Sequence, residues 1–201
     1  MPDTLDTLEG LPLLSATAPG WASVVAENVD HVLADHAHCE LKAASTALSL
    51  LGRYSDDDLL AQDLLALARE EMRHFASVRE KLQERGARLP PVAPDRYVKE
   101  LRRRAQRGLQ RAEVGLDALL ICAFVEARSC ERFRILARSL PEEPLRQFYS
   151  ELASAEARHH ELFSSHAARR AGAEATEQRT KEIAAIEAAL VAELPVAPRI
   201  H

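Results

Sequence analysis

The chain has 201 residues, a formal net charge of −5 at pH 7, seven glycines and only 4% aromatic residues. The length suits one domain with a sizeable core, and frequent Ala and Leu without β-branched runs predict an all-α protein. The negative net charge disfavours a general nucleic-acid binder, and no stretch approaches the roughly 18 uninterrupted apolar residues of a membrane span.

The first residues and the cysteines predict a cytoplasmic protein. Acidic residues stand where a secretion signal would carry a basic region and then an apolar one. Cys39, Cys122 and Cys130 lack disulfide-scaffold or CxxC spacing, which favours a reducing compartment. We interpret Cys39 and Cys130 as small core residues rather than redox groups.

The apolar periodicity of the sequence and the positions of its Gly and Pro residues predict a single domain over residues 1–201. A link rich in Gly and Pro follows the first helical hairpin, and it should stop the helices on both sides and span a distance. The predicted segments are an extended arm at 1–20, a first helical hairpin at 28–85, a crossover with a basic helix at 86–112, a second helical hairpin at 113–171, and a peripheral helix with a tail at 172–201.

Two helices of the first hairpin carry acidic residues where their apolar stripes call for a hydrophobic side chain. In the helix predicted over 28–54, Glu40 takes such a position. In the next helix, over about 57–85, Glu71 and His74 interrupt a stripe of Leu and Val with a period of 3.6 residues. Glu70 points about 100° away, so we predict Glu71 as the inward carboxylate.

The second hairpin repeats this arrangement. Glu126 interrupts the stripe of the helix over about 113–140, and its rival Glu131 lies about 140° away on the same helix. Glu156 and His159 form a second Glu-x-x-His in the following helix. The last helix, over about 175–194, is amphipathic, and we predict no inward carboxylate and an outer position for it.

The order of these residues is an internal repeat. Glu40 precedes Glu71 by 31 residues, and Glu126 precedes Glu156 by 30. Glu-x-x-His on two helices with one Glu from each of two others is the signature of ferritin-like carboxylate-bridged metal proteins. Carboxylate and imidazole ligands suit two iron or two manganese ions, and the four carboxylate charges would balance two divalent ions. The remaining histidines are read as core or surface residues: His36, His38, His160 and His166.

A basic segment stands out in this acidic chain. Seven cations fall within sixteen residues, and they are Arg96, Lys99, Arg102, Arg103, Arg104, Arg107 and Arg111. A solvated helix face explains them about as well as a phosphate-contacting surface, for which the planar guanidinium of Arg is well suited.

Four segments together resemble one protein family over roughly residues 25–170. They are DHAHCELKAA at 35–44, AREEMRHF at 68–75, EARSCERF at 126–133 and EARHH at 156–160. These segments are similar to those of the tRNA 2-methylthio-N6-isopentenyladenosine hydroxylases. That family consists of ferritin-like non-haem di-iron monooxygenases that hydroxylate the isopentenyl chain of a modified adenosine next to the tRNA anticodon.

The resemblance implies a ferritin-like four-helix bundle with a long crossover and extra peripheral helices. It also implies a di-iron centre, O2 as co-substrate and an external electron donor or reductase. The implied metal ligands are Glu40, Glu71, His74, Glu126, Glu156 and His159. With tRNA as the substrate, the basic segment gains a role in holding the RNA backbone.

Three alternatives stay open at this stage. The first is a rubrerythrin-like or ferritin-like di-iron peroxidase or iron-handling protein, although the Cys-x-x-Cys module that usually accompanies rubrerythrins is absent from the sequence. The second is a helical bundle without enzymatic activity that docks through its basic helix. The third is a manganese-loaded site. Whether the chain is a monomer also stays open.

Overall fold

The computed structural model describes residues 6–107 and 113–201. Within those ranges every regular element is a helix and no strand is formed, so the predicted all-α class is confirmed. The helices are α1 (Trp21–Ala26), α2 (Val29–Arg53), α3 (Asp58–Glu84), α4 (Arg96–Ala105), α5 (Glu113–Ser139), α6 (Glu143–Ala171) and α7 (Ala173–Glu193). None of the helices in the described ranges is long and apolar enough to cross a membrane.

The described residues form two compact units. The α2–α3 unit contains residues 27–94 and 197–200. The α5–α6 unit contains α1, α4, α5, α6 and α7, with residues 95–196 and His201 among its members. Each unit is built around one long antiparallel helix pair, as helix–turn–helix connections of only a few residues require.

Local signals in the sequence define the helices of the α2–α3 unit. Asp57 caps α3 by accepting a hydrogen bond from the backbone N–H of Leu60 at 3.2 Å. Gly86, at φ 73°, takes the left-handed conformation that ends the helix. The stripe predicted for α3 is buried, with Leu64 and Val78 fully inaccessible, and it fixes which face of the helix points inward.

The α5–α6 unit has a more enclosed central helix. Along α5, nearly every residue from Leu119 to Glu131 is buried, so the helix is covered on more than one face. Helices α1, α4, α6 and α7 all pack against it. Asp95 caps α4 through the backbone N–H of Val98 at 2.9 Å, so this helix starts immediately after the Pro-rich link.

A buried ionic network joins the helices of the α5–α6 unit. The Arg128 guanidinium is fully buried and donates from Nε and Nη2 to the two carboxylate oxygens of Glu187 at 2.9 and 3.0 Å. Its Nη1 lies 3.1 Å from Glu131 Oε2, and the Tyr97 hydroxyl donates to Glu187 at 3.0 Å. Thr17 also donates to Glu131, from its backbone N–H at 2.8 Å and from its hydroxyl.

This network corrects one sequence-based prediction. The last helix was expected to lack an inward carboxylate, but Glu187 on α7 is fully buried. The prediction was wrong because Glu187 takes an inward position in the apolar period of α7. The helix can bury this charge because Arg128, a partner 59 residues away, matches it. Paired in this way, a buried carboxylate is tolerated in a helix interface.

Candidate metal centre

The α2–α3 unit gathers one group of predicted ligands. Glu40 on α2 and Glu71 on α3 are both buried, and His74 is half-buried. His74 Nδ1 lies 3.0 Å from Glu71 Oε2 and 3.9 Å from Glu40 Oε2. One ligand atom from each of the three residues lies within 4.8 Å of the others. We call Glu40, Glu71 and His74 the first triad.

Burial separates Glu71 from its neighbour in the sequence. Glu71 is inaccessible to solvent, whereas Glu70 keeps 28% of its side chain exposed. Glu70 Oε1 is 3.9 Å from His74 Nε2, so it lies near the imidazole without entering the buried face. The orientation predicted from the apolar stripe therefore matches the burial of the two side chains.

His36 contacts the first triad from one helical turn earlier. Its Nε2 lies 2.5 Å from Glu40 Oε1, and the ring is fully buried. A buried imidazole that holds one oxygen of a carboxylate fixes the direction of the other oxygen. From the sequence, His36 was predicted only as a core or surface histidine, although its spacing of four residues from Glu40 places both on one helix face.

The α5–α6 unit gathers the other predicted ligands, which we call the second triad. Glu126 on α5 and Glu156 and His159 on α6 are all buried. Their ligand atoms lie within 4.8 Å of one another, and His159 Nδ1 is 3.6 Å from Glu156 Oε2. The rival Glu131 belongs instead to the ionic network around Arg128.

The neighbouring histidine, His160, has a different role. Its Nδ1 donates a hydrogen bond to the carbonyl of Ala123 at 2.9 Å, which ties α6 to α5. Burial lowers the pKa of His160, so the neutral ring is favoured. The bond to a carbonyl fixes the proton on Nδ1 in that neutral form.

The donor set of each triad fits a metal ion. Two carboxylates and one imidazole, all buried or half-buried, are hard and borderline ligands of the kind that iron and manganese accept. Two carboxylates brought this close in a buried site repel each other unless a cation lies between them. A bound cation would therefore relieve the electrostatic cost of each triad and should stabilise the fold.

The basic segment is largely solvent-exposed on α4. Arg96, Lys99, Arg102 and Arg103 are exposed, as is Arg107 just after the helix. Arg111 lies outside the described residues.

Arg104 is half-buried, unlike the exposed cations of the basic segment. Its guanidinium makes two hydrogen bonds to Glu193, at 3.1 and 2.6 Å. A carboxylate therefore already occupies this fork, and Glu100 likewise binds Arg103, at 2.9 Å from Nε and 2.8 Å from Nη2, so phosphate would have to compete for both arginines.

Two cysteine thiols close to the second triad are expected to be unreactive. Burial, and to a lesser extent the Glu126 carboxylate, raise the pKa of Cys122 to about 12, and burial raises that of Cys130 to about 11. At pH 8 almost no thiolate is present in the folded state, and the thiolate is the reactive form. Iodoacetamide at pH 8 should therefore label Cys39, which is half-buried, well before the other two.

Peptide mass spectrometry after timed labelling would measure this order, with labelling in guanidinium as the control for intrinsic reactivity. Modification of Cys122 at the rate of Cys39 in the native protein would contradict the assigned burial and pKa.

Comparison with known proteins gives the class first. A solved structure described as Protein 43 with aldehyde deformylating oxygenase activity, from Synechococcus, is 34% identical to this chain, covers 94% of both chains and superposes with a TM-score of 0.87. The chain thus has the ferritin-like fold of an oxygenase, and the predicted fold class is confirmed.

The family follows from the sequence. The chain belongs to the family described as tRNA-(MS[2]IO[6]A)-hydroxylase (MiaE), whose model matches residues 10–201. Membership in this family makes the chain an enzyme of the hydroxylase type, and the predicted resemblance is confirmed.

Two relatives carry the name tRNA 2-(methylsulfanyl)-N(6)-isopentenyladenosine(37) hydroxylase. The protein from Pseudomonas putida (strain KT2440) is 41% identical over 160 residues, which cover 78% of this chain and 73% of the relative. The protein from Salmonella typhimurium (strain LT2) is 29% identical over 212 residues, covering 82% of this chain and 77% of the relative.

Proposed function

We propose that this chain is an O2-dependent di-iron monooxygenase that hydroxylates the isopentenyl side chain of 2-methylthio-N6-isopentenyladenosine in a tRNA anticodon loop. The observation that carries the proposal is the family match over residues 10–201, in a chain whose two units each hold a buried triad of two carboxylates and one imidazole. A cytoplasmic location and an external electron donor or reductase belong to the same proposal.

The metal ligands in this proposal are the two triads. Together they supply four carboxylates and two imidazoles, and these are Glu40, Glu71, His74, Glu126, Glu156 and His159. Two iron ions held by such ligands supply the binding and reduction of O2 when they are bound. The four carboxylate charges balance those of two divalent ions, so no excess charge is left buried.

The surrounding residues of the chain hold the ligands and shield them from water. His36 orients Glu40 through its 2.5 Å contact, and the buried stripe residues of α3 exclude solvent from Glu71. In the α5–α6 unit, His160 fixes α6 against α5 through the Ala123 carbonyl, and this holds the register of the adjacent His159. Rigid support of this kind is what ligand geometry at a metal site needs.

Exposed cations on α4 are the proposed contacts to the tRNA backbone. Arg102, Arg103 and Arg107 are exposed and carry fixed positive charges, which suits phosphate binding. Arg103 and Arg104 stay in the proposed set, although phosphate would have to displace Glu100 from Arg103 and Glu193 from Arg104. Arg96, Lys99 and Arg111 complete it.

Mass analysis of tRNA nucleosides tests the function. Iron-loaded, chemically reduced protein would be mixed with tRNA carrying the isopentenylated adenosine under 18O2. The expected result is one labelled oxygen atom in the isopentenyl side chain. A long-chain aldehyde serves as a comparison substrate, because the Synechococcus relative is described by an aldehyde activity, and we expect no deformylation.

Two outcomes would contradict the proposal. Two irons per chain and rapid O2 consumption without a tRNA product would show that this tRNA is not the substrate, and they would favour the peroxidase or iron-handling alternative. Aldehyde turnover instead of tRNA hydroxylation would assign the chain the activity of its structural relative.

Replacing His36 with alanine is expected to weaken iron binding about 10- to 100-fold, the loss typical of a group that holds a metal ligand. Glu40 would keep its carboxylate but lose the fixed direction that the 2.5 Å contact gives it. Iron retained after dialysis against a graded chelator, measured by mass spectrometry, reads out the effect.

The control is His31→Ala, which removes an exposed imidazole from the same helix. If His36→Ala kept iron as tightly as His31→Ala, the orienting role would be wrong.

A further inference from the structure

A basic groove runs between α5 and α6 on the α5–α6 unit. It has a volume of about 630 Å³ and is lined by residues of both helices. Three arginines line it, Arg134 and Arg138 on α5 and Arg146 on α6, together with the carboxylate of Glu143 on α6. Neither the basic segment of α4 nor the two triads contribute a lining residue, so this groove is a separate feature of the fold.

Backbone carbonyls hold two of these arginines without neutralising them. Arg134 Nη1 donates to the carbonyls of Thr7 and Glu9 at 2.9 and 2.8 Å. Arg146 Nη1 donates to the carbonyls of Leu140 and Pro141 at 2.8 and 3.1 Å. A carbonyl is an acceptor without net charge, so these contacts orient the guanidinium groups and leave their positive charge in place.

The acidic partners of the groove are weak competitors. Arg138 pairs with Asp6 at 2.8 Å, and Arg146 pairs with Glu143. Both carboxylates are more than half exposed, at 57% and 58%. Exposed ion pairs contribute about 0–1 kcal/mol, so a multiply charged anion can displace them at little cost.

The rest of the lining suits a chain of phosphates. Ala153 and Ala157 give the groove small side chains, and Ser150 adds an exposed hydroxyl. Arginine forks bind phosphate bidentately, and hydroxyl groups are common phosphate donors. A concave surface of this kind admits an extended strand, whereas a folded acidic protein would require a convex feature to enter it.

We infer that the α5–α6 groove binds the sugar–phosphate backbone of the RNA substrate, as a second contact surface beside the basic segment of α4. This inference rests on the proposed function, since it takes tRNA as the substrate. Asp6, which occupies Arg138 in the free protein, competes with the phosphates for that side chain.

Two variants with opposite expected effects on RNA affinity test the inference. Arg138→Gln/Arg146→Gln removes two charges and keeps an amide donor for the carbonyls that Arg146 contacts. Asp6→Asn removes the charge that pairs with Arg138, at a side chain that is 57% exposed. The matched control, Arg53→Gln/Arg88→Gln, removes two exposed charges from the α2–α3 unit.

The readout is the binding of a fluorescent anticodon stem-loop RNA at several salt concentrations. We expect the groove variant to bind about tenfold more weakly at low salt, with a log–log salt slope shallower by about 1.4, or about 0.7 for each phosphate of a single strand that the variant no longer neutralises. We expect Asp6→Asn to bind about threefold more tightly, as an exposed ion pair of this strength allows. Iron content and the melting temperature should equal those of the control.

The outcomes separate this inference from the proposed function. RNA binding by the groove variant with the affinity and salt slope of the control would overturn the inference alone, and hydroxylation by the wild-type protein would still stand. Absence of both RNA binding and hydroxylation in the wild type would overturn the proposed function and the inference with it. Loss of poly-glutamate binding but not of RNA binding in the groove variant would assign the groove to an acidic polypeptide, and this also overturns it.

Discussion

Replacing Glu71 with leucine is expected to remove iron from the protein and to lower tRNA hydroxylation by about 1,000-fold, beyond the 10- to 100-fold typical of a supporting contact. Glu71 is inaccessible to solvent, and one of its oxygens lies 3.0 Å from His74 Nδ1 in the first triad. Without it the triad keeps one carboxylate and one imidazole, too few to hold an ion in a buried site. Iron per chain and labelled product per minute measure the two effects.

In the metal-free protein, the same variant should be more stable than the wild type. A buried carboxylate without a cation destabilises the fold, and leucine matches the apolar stripe in which Glu71 stands. We expect the apoprotein to gain about 1–3 kcal/mol, or about 2–12 °C in melting temperature. The shift on adding iron should then disappear, because the ion has lost its ligand.

Glu80→Leu is the matched control, since it places a leucine at an exposed position of the same helix. It should keep two irons and full activity. A Glu71→Leu protein that retains two irons, or an apoprotein that melts below the wild type, would contradict the assignment of this carboxylate as a buried ligand.

Replacing Arg128 with methionine is expected to destabilise the protein by about 3–5 kcal/mol, the usual cost of breaking a buried ion pair on one side. Arg128 is the cation of the buried network, with Glu187 and Glu131 both within hydrogen-bond distance. Its removal leaves two buried carboxylates without their hydrogen-bonded cation, and Arg132 remains near them as a cation. The melting temperature should fall by about 6–20 °C, measured by calorimetry on the apoprotein.

The defect should become smaller at acidic pH. Burial raises the pKa of Glu187 and outweighs the opposing effect of Arg128, and loss of that cation raises it further. A carboxyl group with a raised pKa in the folded state binds protons more readily there than in the unfolded chain, so lowering the pH stabilises the fold. The difference between variant and wild type should therefore shrink as the pH falls from 7 towards 5.

Two further variants complete this test. Arg128→Met/Glu131→Gln/Glu187→Gln removes the unpaired charges and should recover most of the lost stability. Arg158→Met removes an exposed arginine of α6 that donates to the Ser154 carbonyl of its own helix, and it should lower the melting temperature far less than Arg128→Met. Equal melting temperatures for Arg128→Met and Arg158→Met would show that the network contributes nothing to stability.

The apolar stripes of the sequence were sufficient to predict the helices and the burial of the triads. Glu40 and Glu71 interrupt a regular period, and a period of 3.6 residues states which face of a helix is buried. The same reasoning places Glu156 and His159 on one face of α6. Local spacing decides all of these positions, and local spacing can be read from the sequence.

The pairing of the network around Arg128 was not predictable in this way, although the inward position of Glu187 follows from the apolar period of α7. A single period identifies one buried face, but α5 is covered on more than one. Which partner covers the second face depends on contacts such as Thr17 with Glu131, which are 114 residues apart. Likewise, the arm predicted as extended gave no sign that the carbonyls of Thr7 and Glu9 would orient Arg134.

The contacts of this network join residues far apart in the sequence, and this affects the order in which parts of the chain fold. The α2–α3 pair contacts itself across a short turn, so it can form once residue 84 has emerged from the ribosome. The contacts of Arg128 join residues 59 positions apart, and those of Tyr97 with Glu187 join residues 90 positions apart. Contacts of such separation form slowly, because a long loop must close first. On a ribosome, therefore, the first triad can assemble while the second unit still awaits the arrival of α7.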